Sequence, residues 1–364
     1  MKIWLFVPCF YPPRIEWIKN NVRLLCSELN DKIDIRIITH KPDMTYNYEN
    51  SGLKICYLLL SHENIFKQIY YYLVWAIKSF KFCYKNKFDI INFHYLETSF
   101  LLPIIFISFL RVKFILTIYS FDEINIRYKR IILKLFKKRL SKIVIISESL
   151  RHPLISLWFD TKKIECIPIA FDKKKFLKNS NSKNRNLNNI LFSAWINKKC
   201  WSFFMVDLAK NLPNFNFIFT LRKFNSKSES DLKELKKYIQ EQWVRNIEIL
   251  RNVDNMDIIL EKIWGLVVPL QNINAKMAVP VALIEAMAKW TVCFVSDLPH
   301  LRFIINDKNV VFFEKENILD LKEKLNNIEL YYEKDIWKNA YKFVQFYPDS
   351  LEIWNKYLNL FKSI

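Results

Sequence analysis

Short runs of β-branched and aromatic residues alternate with longer amphipathic stretches along the first half of the chain. The short runs are almost wholly apolar, which is typical of strands that a parallel sheet buries on both faces. The longer stretches repeat their apolar residues at helical spacing, as helices that cover such a sheet do. We therefore predict strands at residues 2–7, 33–39, 53–58, 89–93, 114–118, 142–146 and 164–168, and helices at residues 16–29, 64–82, 99–110, 127–140 and 147–157.

The second half repeats this alternation and predicts a second domain of the same α/β class. Strands are predicted at residues 190–194, 215–220, 246–250, 265–270, 292–296 and 310–313, and helices at residues 202–212, 228–242, 255–262, 281–289 and 318–328. The remainder, residues 331–364, is predicted to be helical and is rich in aromatic residues. Two such halves predict two facing, doubly wound parallel sheets of the Rossmann type, with a cleft between the domains. Ligands bind such sheets at the carboxyl ends of the strands.

Residues 177–189 read LKNSNSKNRNLNN, a stretch of Asn, Ser, Lys and Arg that cannot contribute to a core. We interpret it as the linker between an amino-terminal domain, residues 1–176, and a carboxyl-terminal domain, residues 190–339. The final helix, residues 340–364, is predicted to join the first domain. The alternative is that residues 177–189 form a surface loop within one domain.

Composition excludes several classes of protein. The chain has 364 residues, 51% of them apolar, which is enough for two folded domains. Its only glycines, Gly52 and Gly265, exclude both a GxGxxG fingerprint and a Walker loop. Its seven cysteines show no C-x-x-C spacing, so we predict reduced thiols in a cytoplasmic protein rather than disulfides or a zinc site. Residues 2–7 are interpreted as a buried strand and not as a signal peptide. The longest apolar run, residues 100–110, is too short to span a membrane.

The net charge of +20 is concentrated in the first half. Residues 1–180 hold 30 Lys and Arg against 15 Asp and Glu, and residues 181–364 hold 26 against 21. Residues 127–142, RYKRIILKLFKKRLSK, hold eight basic residues and no acidic one, together with an apolar stripe at helical spacing. This pattern is typical of a helix at an anionic membrane surface. The alternative is a domain helix whose stripe packs into the core. A nucleic-acid-binding protein is a further alternative for the charge, although no docking motif supports it.

One carboxylate stands out in the second half. Glu285 lies in the middle of the predicted helix 281–289, among Ala, Val, Leu, Ile and Met. A carboxylate in that setting can accept two hydrogen bonds from a vicinal diol such as that of a ribose. The start of the same helix, with Ala282 and Leu283, offers backbone N–H groups and a positive dipole end to a phosphate. The alternative is an ordinary helix carboxylate, which would be costly to bury without partners.

The segment around Glu285 resembles the nucleotide-sugar site of family-four glycosyltransferases. Glu285-Ala286-Met287-Ala288 and, after the next strand, Ser296-Asp297 match the family's pattern. Residues 10–15, 88–94, 117–120, 167–176 and 191–199 resemble further family segments in the same order. The resemblance implies the GT-B fold, a nucleotide-diphosphate sugar as donor, no metal or other cofactor, and transfer with retention of the anomeric configuration.

The resemblance also implies roles for further residues. His94 and Tyr119, at predicted strand ends, would lie beside the reacting sugar and the acceptor. Lys199, or Lys198 beside it, would contact the diphosphate. Three positions depart from the family's pattern, because Met277 replaces a Glu at the donor sugar, Trp195 replaces an Arg at the diphosphate, and Tyr119 replaces a His. The last donor-site candidate is Arg14, which could replace at the diphosphate the backbone amides of a glycine pair that the family's first loop carries and this chain lacks.

The sequence thus predicts a glycosyltransferase that acts at the cytoplasmic face of a membrane. It would move a sugar from a nucleotide-diphosphate donor to a lipid-linked or glycan acceptor, and it would bind the anionic surface peripherally. The departures motivate an alternative of another class, a protein of the same fold that binds a nucleotide or glycan without turnover.

Overall fold

Parallel strands form two separate sheets in the part of the chain that the structure describes. This structure, a computed structural model, describes residues 1–7, 17–27, 33–39, 54–57, 65–96, 101–177, 186, 188–195, 201–222, 228–251, 253, 255–270 and 278–364. The contacts divide the chain into two units. The first comprises Met1–Phe171, Ile273–Val279 and Pro348–Ile364, and the second comprises Asp172–Asn272 and Pro280–Tyr347.

The first unit contains a seven-stranded sheet in the order β3-β2-β1-β4-β5-β6-β7. Its strands are β1 Lys2–Phe6, β2 Asp34–Thr39, β3 Lys54–Tyr57, β4 Ile90–His94, β5 Lys113–Ile118, β6 Leu140–Ile145 and β7 Ile164–Cys166. Its helices are α1 Trp17–Ser27, α2 Ile65–Asn86, α3 Leu101–Ile107, α4 Asp122–Asn125, α5 Arg127–Phe136, α6 Arg151–Ile155 and, from the end of the chain, α15 Ser350–Lys362.

The second unit repeats this strand order with six strands, β10-β9-β8-β11-β12-β13. The strands are β8 Asn189–Trp195, β9 Asn216–Arg222, β10 Ile247–Arg251, β11 Gly265–Val268, β12 Val292–Ser296 and β13 Val311–Phe313. The helices are α7 Lys173–Phe176, α8 Ser202–Lys210, α9 Ser228–Glu241, α10 Met256–Leu260, α11 Val281–Ala288, α12 Ile318–Asn326, α13 Ile328–Glu333 and α14 Ile336–Phe346.

The predicted fold class, two doubly wound parallel sheets, is confirmed, and a described strand overlaps each predicted one. The strands were predictable because their runs are buried on both faces and so are apolar throughout. The units divide at Asp172, whereas the predicted linker 177–189 lies mostly outside the described residues. Of the predicted final helix 340–364, the part from Pro348 onward belongs to the first unit.

Some boundaries differ from the prediction. The helix predicted at residues 127–140 ends at Phe136, and the next strand already begins at Leu140. A turn separates the two, in which the amide of Arg139 donates to the carbonyl of Phe136 at 2.8 Å and its guanidinium to the carbonyl of Leu110 at 2.6 Å. The four-residue helix α4 was not predicted, since it is too short to show a period.

Three helices of this glycine-poor chain end in the same way. Trp158, Trp243 and Trp290 follow α6, α9 and α11 with φ angles of 66°, 57° and 61°. In each case the next amide donates to the carbonyl five residues back, at 3.2, 3.1 and 3.2 Å. This is the Schellman arrangement, in which glycine usually occupies the left-handed position because it has no Cβ. The backbone path is therefore kept although tryptophan stands at the glycine position.

Candidate functional site

The carboxyl edge of the second unit's sheet brings together the ends of β8, β9, β11 and β12. The strand order reverses between β8 and β11, which is the point where ligands bind in sheets of this kind. Helix α11 follows β11 in the chain and carries Glu285. Because α11 is buried over Leu283–Ala288, its carboxylate lies in an apolar setting.

Glu285 is buried, with 9% of its surface exposed, and its Oε2 atom is buried with no hydrogen-bond partner. Burial raises the pKa of Glu285 from 4.5 to about 7. The positive charges of Arg222 and Lys175 act against this shift, and the negative charges of Asp257 and Asp172 add to it. A buried carboxylate oxygen without a partner is costly, so the arrangement is suited to a ligand that donates hydrogen bonds.

The charged groups near Glu285 come from separate elements of the second unit. Asp172 caps α7 by accepting the amide of Lys175 at 2.9 Å. The ammonium of Lys175 lies 3.2 Å from a carboxylate oxygen of Asp257, in the first turn of α10. Arg222 is the last residue of β9 and is 8% exposed. Two cations and two further carboxylates thus surround Glu285, and the buried carboxylate together with the cations suits a diol and a phosphate.

Arg222 was missed by the sequence analysis. The available signal was a charged residue that directly follows the apolar run FIFTL. The parallel register pairs Arg222 with Trp195, the last residue of β8, and this pairing becomes visible only in the sheet.

The start of α11 follows Pro280, which has an extended backbone. The amide of Leu283 donates to the carbonyl of Pro280 at 3.0 Å and so already has a partner. Ala282, one residue earlier and half-buried, is the better placed of the two for an anion. Their donor roles stay predictions.

His94 and Tyr119 lie together inside the first unit, at the ends of β4 and β5. The Nδ1 atom of His94 is 2.8 Å from the hydroxyl of Tyr119, and its Nε2 atom is 3.1 Å from the amide nitrogen of Asn92. Asn21 donates to the Tyr119 hydroxyl at 3.0 Å. His94 is 1% exposed, and burial lowers its pKa to about 3. The two residues that the sequence predicted at the reacting sugar are thus neighbours, and their catalytic roles stay predictions. Both ring nitrogens of His94 have partners, and the ring is uncharged at neutral pH.

A second buried carboxylate, Glu123, was also missed. Its Oε1 atom accepts the amides of Tyr119 and Ser120 at 2.6 and 2.9 Å, and its Oε2 atom accepts the amide of Leu96 at 2.6 Å. Burial raises its pKa to about 8, and the backbone hydrogen bonds oppose that shift. Glu123 thereby ties the chain after β4 to the chain after β5. Nothing in the sequence marks it, because its shortest hydrogen bonds are to backbone amides.

Four of the predicted donor-site residues, Arg14, Lys198, Lys199 and Met277, lie outside the described residues, so their roles stay predictions. In the described part of the chain, no group of three or more His, Cys, Asp or Glu is arranged to hold a metal ion. Over the same residues, no helix is both long and apolar enough to cross a membrane.

The family comparison agrees with the resemblance predicted from the sequence. A model of Glycosyltransferase Family 4 matches residues 19–175. The match thus covers most of the first unit and not the segment around Glu285, on which the resemblance first rested. No protein in a comparison with curated sequences matches the chain.

Solved structures share the fold at low sequence identity. Sucrose-phosphate synthase from Thermosynechococcus elongatus has a TM-score of 0.84 at 14% identity, over 100% of this chain and 98% of that one. HepE from Anabaena, in complex with UDP and glucose, has a TM-score of 0.81 at 12% identity over 100% of both chains. A glycosyltransferase from Rickettsia africae has a TM-score of 0.75 at 15% identity, over 100% of this chain and 98% of that one. The shared fold is GT-B.

Proposed function

We propose that this glycosyltransferase of the GT-B fold, similar to Family 4 over residues 19–175, takes its sugar from a nucleotide-diphosphate donor bound in its second unit. The observation that carries the proposal is the buried Oε2 atom of Glu285, which has no hydrogen-bond partner. A ribose diol supplies two O–H donors to a carboxylate, and Arg222 and Lys175 supply positive charge for the adjoining phosphates. HepE, which shares the fold, was solved with UDP and with UDP-glucose, and this supports the same ligand class.

The experiment is a thermal-unfolding screen of the purified full chain with UDP, GDP and ADP and with their glucose conjugates. A ligand that binds only the folded state at 100 times its Kd stabilises it by roughly 2.7 kcal/mol. We expect the diphosphate of one nucleobase and its glucose conjugate both to raise the Tm. We expect that conjugate to be consumed when an acceptor is present. If none of the six changes the Tm at millimolar concentration, the donor assignment fails.

Retention of the anomeric configuration belongs to the proposal through the family resemblance. Proton NMR of the first product formed distinguishes the two outcomes, because the anomeric coupling constants of α and β products differ. A product of inverted configuration would remove this part of the proposal and leave the donor site intact.

The acceptor side of the proposal is a lipid-linked or glycan acceptor at an anionic membrane, on its cytoplasmic face. Helix α5 supports this placement because its apolar residues are divided between two faces. Leu133 and Phe136 are buried in the first unit. A second set, comprising Tyr128, Ile131 and Leu135, is exposed beside Arg127, Arg130, Lys134 and Lys138. Exposed apolar residues among cations suit the headgroup region of an anionic bilayer.

The interpretation of residues 127–142 as a charged surface helix implied that every basic residue faces solvent. One of them does not. Lys129 is buried, lies 3.2 Å from a carboxylate oxygen of Asp122 and stands 4.8 Å from the centre of the Tyr95 ring. It stabilises the fold and is not available to a membrane, so the cations that face solvent carry the proposal.

The second candidate is a protein of this fold that binds its nucleotide sugar without turnover. It is favoured by His94, whose ring is buried with both nitrogens engaged. Slow hydrolysis of the donor in the absence of acceptor separates the two functions, since an enzyme releases free sugar whereas a binding protein leaves the donor intact.

A further inference from the structure

A phosphate site in this chain has to be built without a glycine loop. The only glycines are Gly52 and Gly265. Gly265 begins β11, at the amino end of the strand and so at the edge of the sheet opposite Glu285. A Cβ added there would lie 2.7 Å from the Cδ1 atom of Ile190, so this glycine serves packing between β11 and β8. The groups available to a diphosphate are therefore side-chain cations and the start of α11.

Arg222 is placed where such a cation is required. It ends β9 at the carboxyl edge of the sheet, beside β8, and is paired in register with Trp195. Neighbouring strands are roughly 4.8 Å apart, so an arginine at 222 can reach the space that a side chain at 195 would serve. That position is the one for which the family resemblance implied an arginine.

The electrostatics single out the same residue. Arg222 is the first of the positive charges that lower the pKa of Glu285, ahead of Lys175. Lys175, which faces the carboxylate of Asp257 at 3.2 Å, is partly exposed, so solvent screens its charge more than that of Arg222. A buried guanidinium keeps its charge and presents a planar fork that matches two phosphate oxygens.

We propose that Arg222 binds the diphosphate of the donor nucleotide and replaces the arginine that position 195 lacks. This inference rests on the proposed function, because it deepens the description of the same site. Glu285 then fixes the ribose and Arg222 fixes the phosphates, so the two residues recognise different parts of one ligand.

The experiment compares a diphosphate with its nucleoside in the full chain by isothermal titration. UDP with uridine is the first pair, and GDP with guanosine and ADP with adenosine are the alternatives if the thermal screen selects another base. Arg222→Gln should weaken UDP binding on the order of 10- to 100-fold and change uridine binding by less than about 3-fold, as expected for the loss of a charge-assisted pair. Arg222→Lys keeps the charge but loses the fork, so its effect on UDP should be intermediate.

The controls separate this inference from the proposed function. Circular dichroism and the Tm without ligand establish that each variant is folded, and Arg222→Lys serves as the test if Arg222→Gln unfolds. If folded Arg222 variants bind UDP as tightly as the native chain, or lose uridine and UDP equally, the inference is overturned while the donor function stands. If the native chain binds none of the nucleotides, the proposed function itself fails, and the inference fails with it.

Discussion

Trp195 and Arg222 are register partners at the ends of two adjacent parallel strands. The sequence separates them by 26 positions that include a complete helix, so nothing in the chain order suggests that they are neighbours. The positive charge of Arg222 therefore stands at the strand end next to that of Trp195. A substitution that looks like the loss of a ligand-binding residue is thus open to compensation from the neighbouring strand.

Glu285→Gln is expected to weaken nucleoside and nucleotide binding to a similar extent, on the order of 10- to 100-fold. The amide keeps the shape of the carboxylate but exchanges charge-assisted hydrogen bonds, each worth about 1.5–3 kcal/mol, for neutral ones worth about 0.5–1.5 kcal/mol. Isothermal titration with uridine and UDP measures both losses. Glu316→Gln, at an exposed position of the same unit, is the matched control and should bind as the native chain does. Native affinity in the Glu285 variant would disprove the ribose assignment.

The same carboxyl should give the stability a specific pH dependence. Its pKa is about 7 in the folded chain against 4.5 ordinarily, so the folded state holds the proton more tightly. The stabilising contribution of protonated Glu285 is complete below pH 4.5 and is lost as pH rises to 7, at most roughly 3 kcal/mol. Glu285→Gln, which stays uncharged, should therefore gain stability relative to the native chain over that window. Urea unfolding at pH 4.5, 6 and 8 tests this, and parallel pH profiles would contradict it.

At pH 9, where Glu123 is ionised, Glu123→Gln should destabilise the first unit by about 1–3 kcal/mol, because one of its two oxygens becomes an NH₂ group that faces a backbone donor. Both oxygens accept amides in the native fold, from Tyr119 and Ser120 on one side and Leu96 on the other. Denaturant unfolding measures the loss. Glu148→Gln, which breaks a partly exposed pair with Arg151, is the control and should cost less than about 1 kcal/mol. Equal effects of the two changes would remove the special role of Glu123.

Reversal of Lys134, Lys137 and Lys138 to Glu should reduce binding to anionic vesicles by roughly 100-fold or more, since each cation near such a surface contributes about 1 kcal/mol. Co-sedimentation with phosphatidylserine-containing and with neutral vesicles gives the measurement. Reversal of Lys233, Lys236 and Lys237 on α9 changes the net charge equally in the second unit and should have little effect. If both triple variants lose binding alike, net charge and not α5 is responsible. If the native chain does not bind anionic vesicles at low salt, the membrane proposal is wrong.

Trp243→Gly should stabilise the second unit by about 1 kcal/mol. Trp243 is 80% exposed and holds the left-handed position after α9 at a φ of 57°, where a side chain is strained. Trp243→Ala removes the indole but keeps a Cβ, so it separates the backbone effect from the loss of side-chain contacts. The free energies of unfolding of the three proteins measure it, and a glycine variant no more stable than the alanine variant would contradict the strain argument.

The sequence predicted the sheets well, and it pointed to only some of the buried charged groups of the candidate site, for physical reasons that differ. A buried parallel strand has to be apolar on both faces, so its position is visible in any short β-branched run. Glu285 was recognised because a charge within an apolar helix is unusual. Arg222 and Glu123 were missed because the role of the first depends on strand register and that of the second on backbone amides. His94 was predicted to face a ligand because it ends a strand. The sequence pattern gives no sign that the side chains of Asn92 and Tyr119 lie within hydrogen-bond distance of its ring.

The tryptophans at the three Schellman positions also affect the unfolded chain. A residue with a Cβ has fewer backbone conformations open to it than glycine, so a chain with only two glycines loses less conformational entropy when it folds. The strain at Trp158, Trp243 and Trp290 in the folded state is thus opposed by a stiffer unfolded ensemble. Glycine at all three positions would remove the backbone strain of the folded state. The gain in the free energy of unfolding should nevertheless be smaller than that removed strain, because each glycine also enlarges the set of conformations from which the chain must fold.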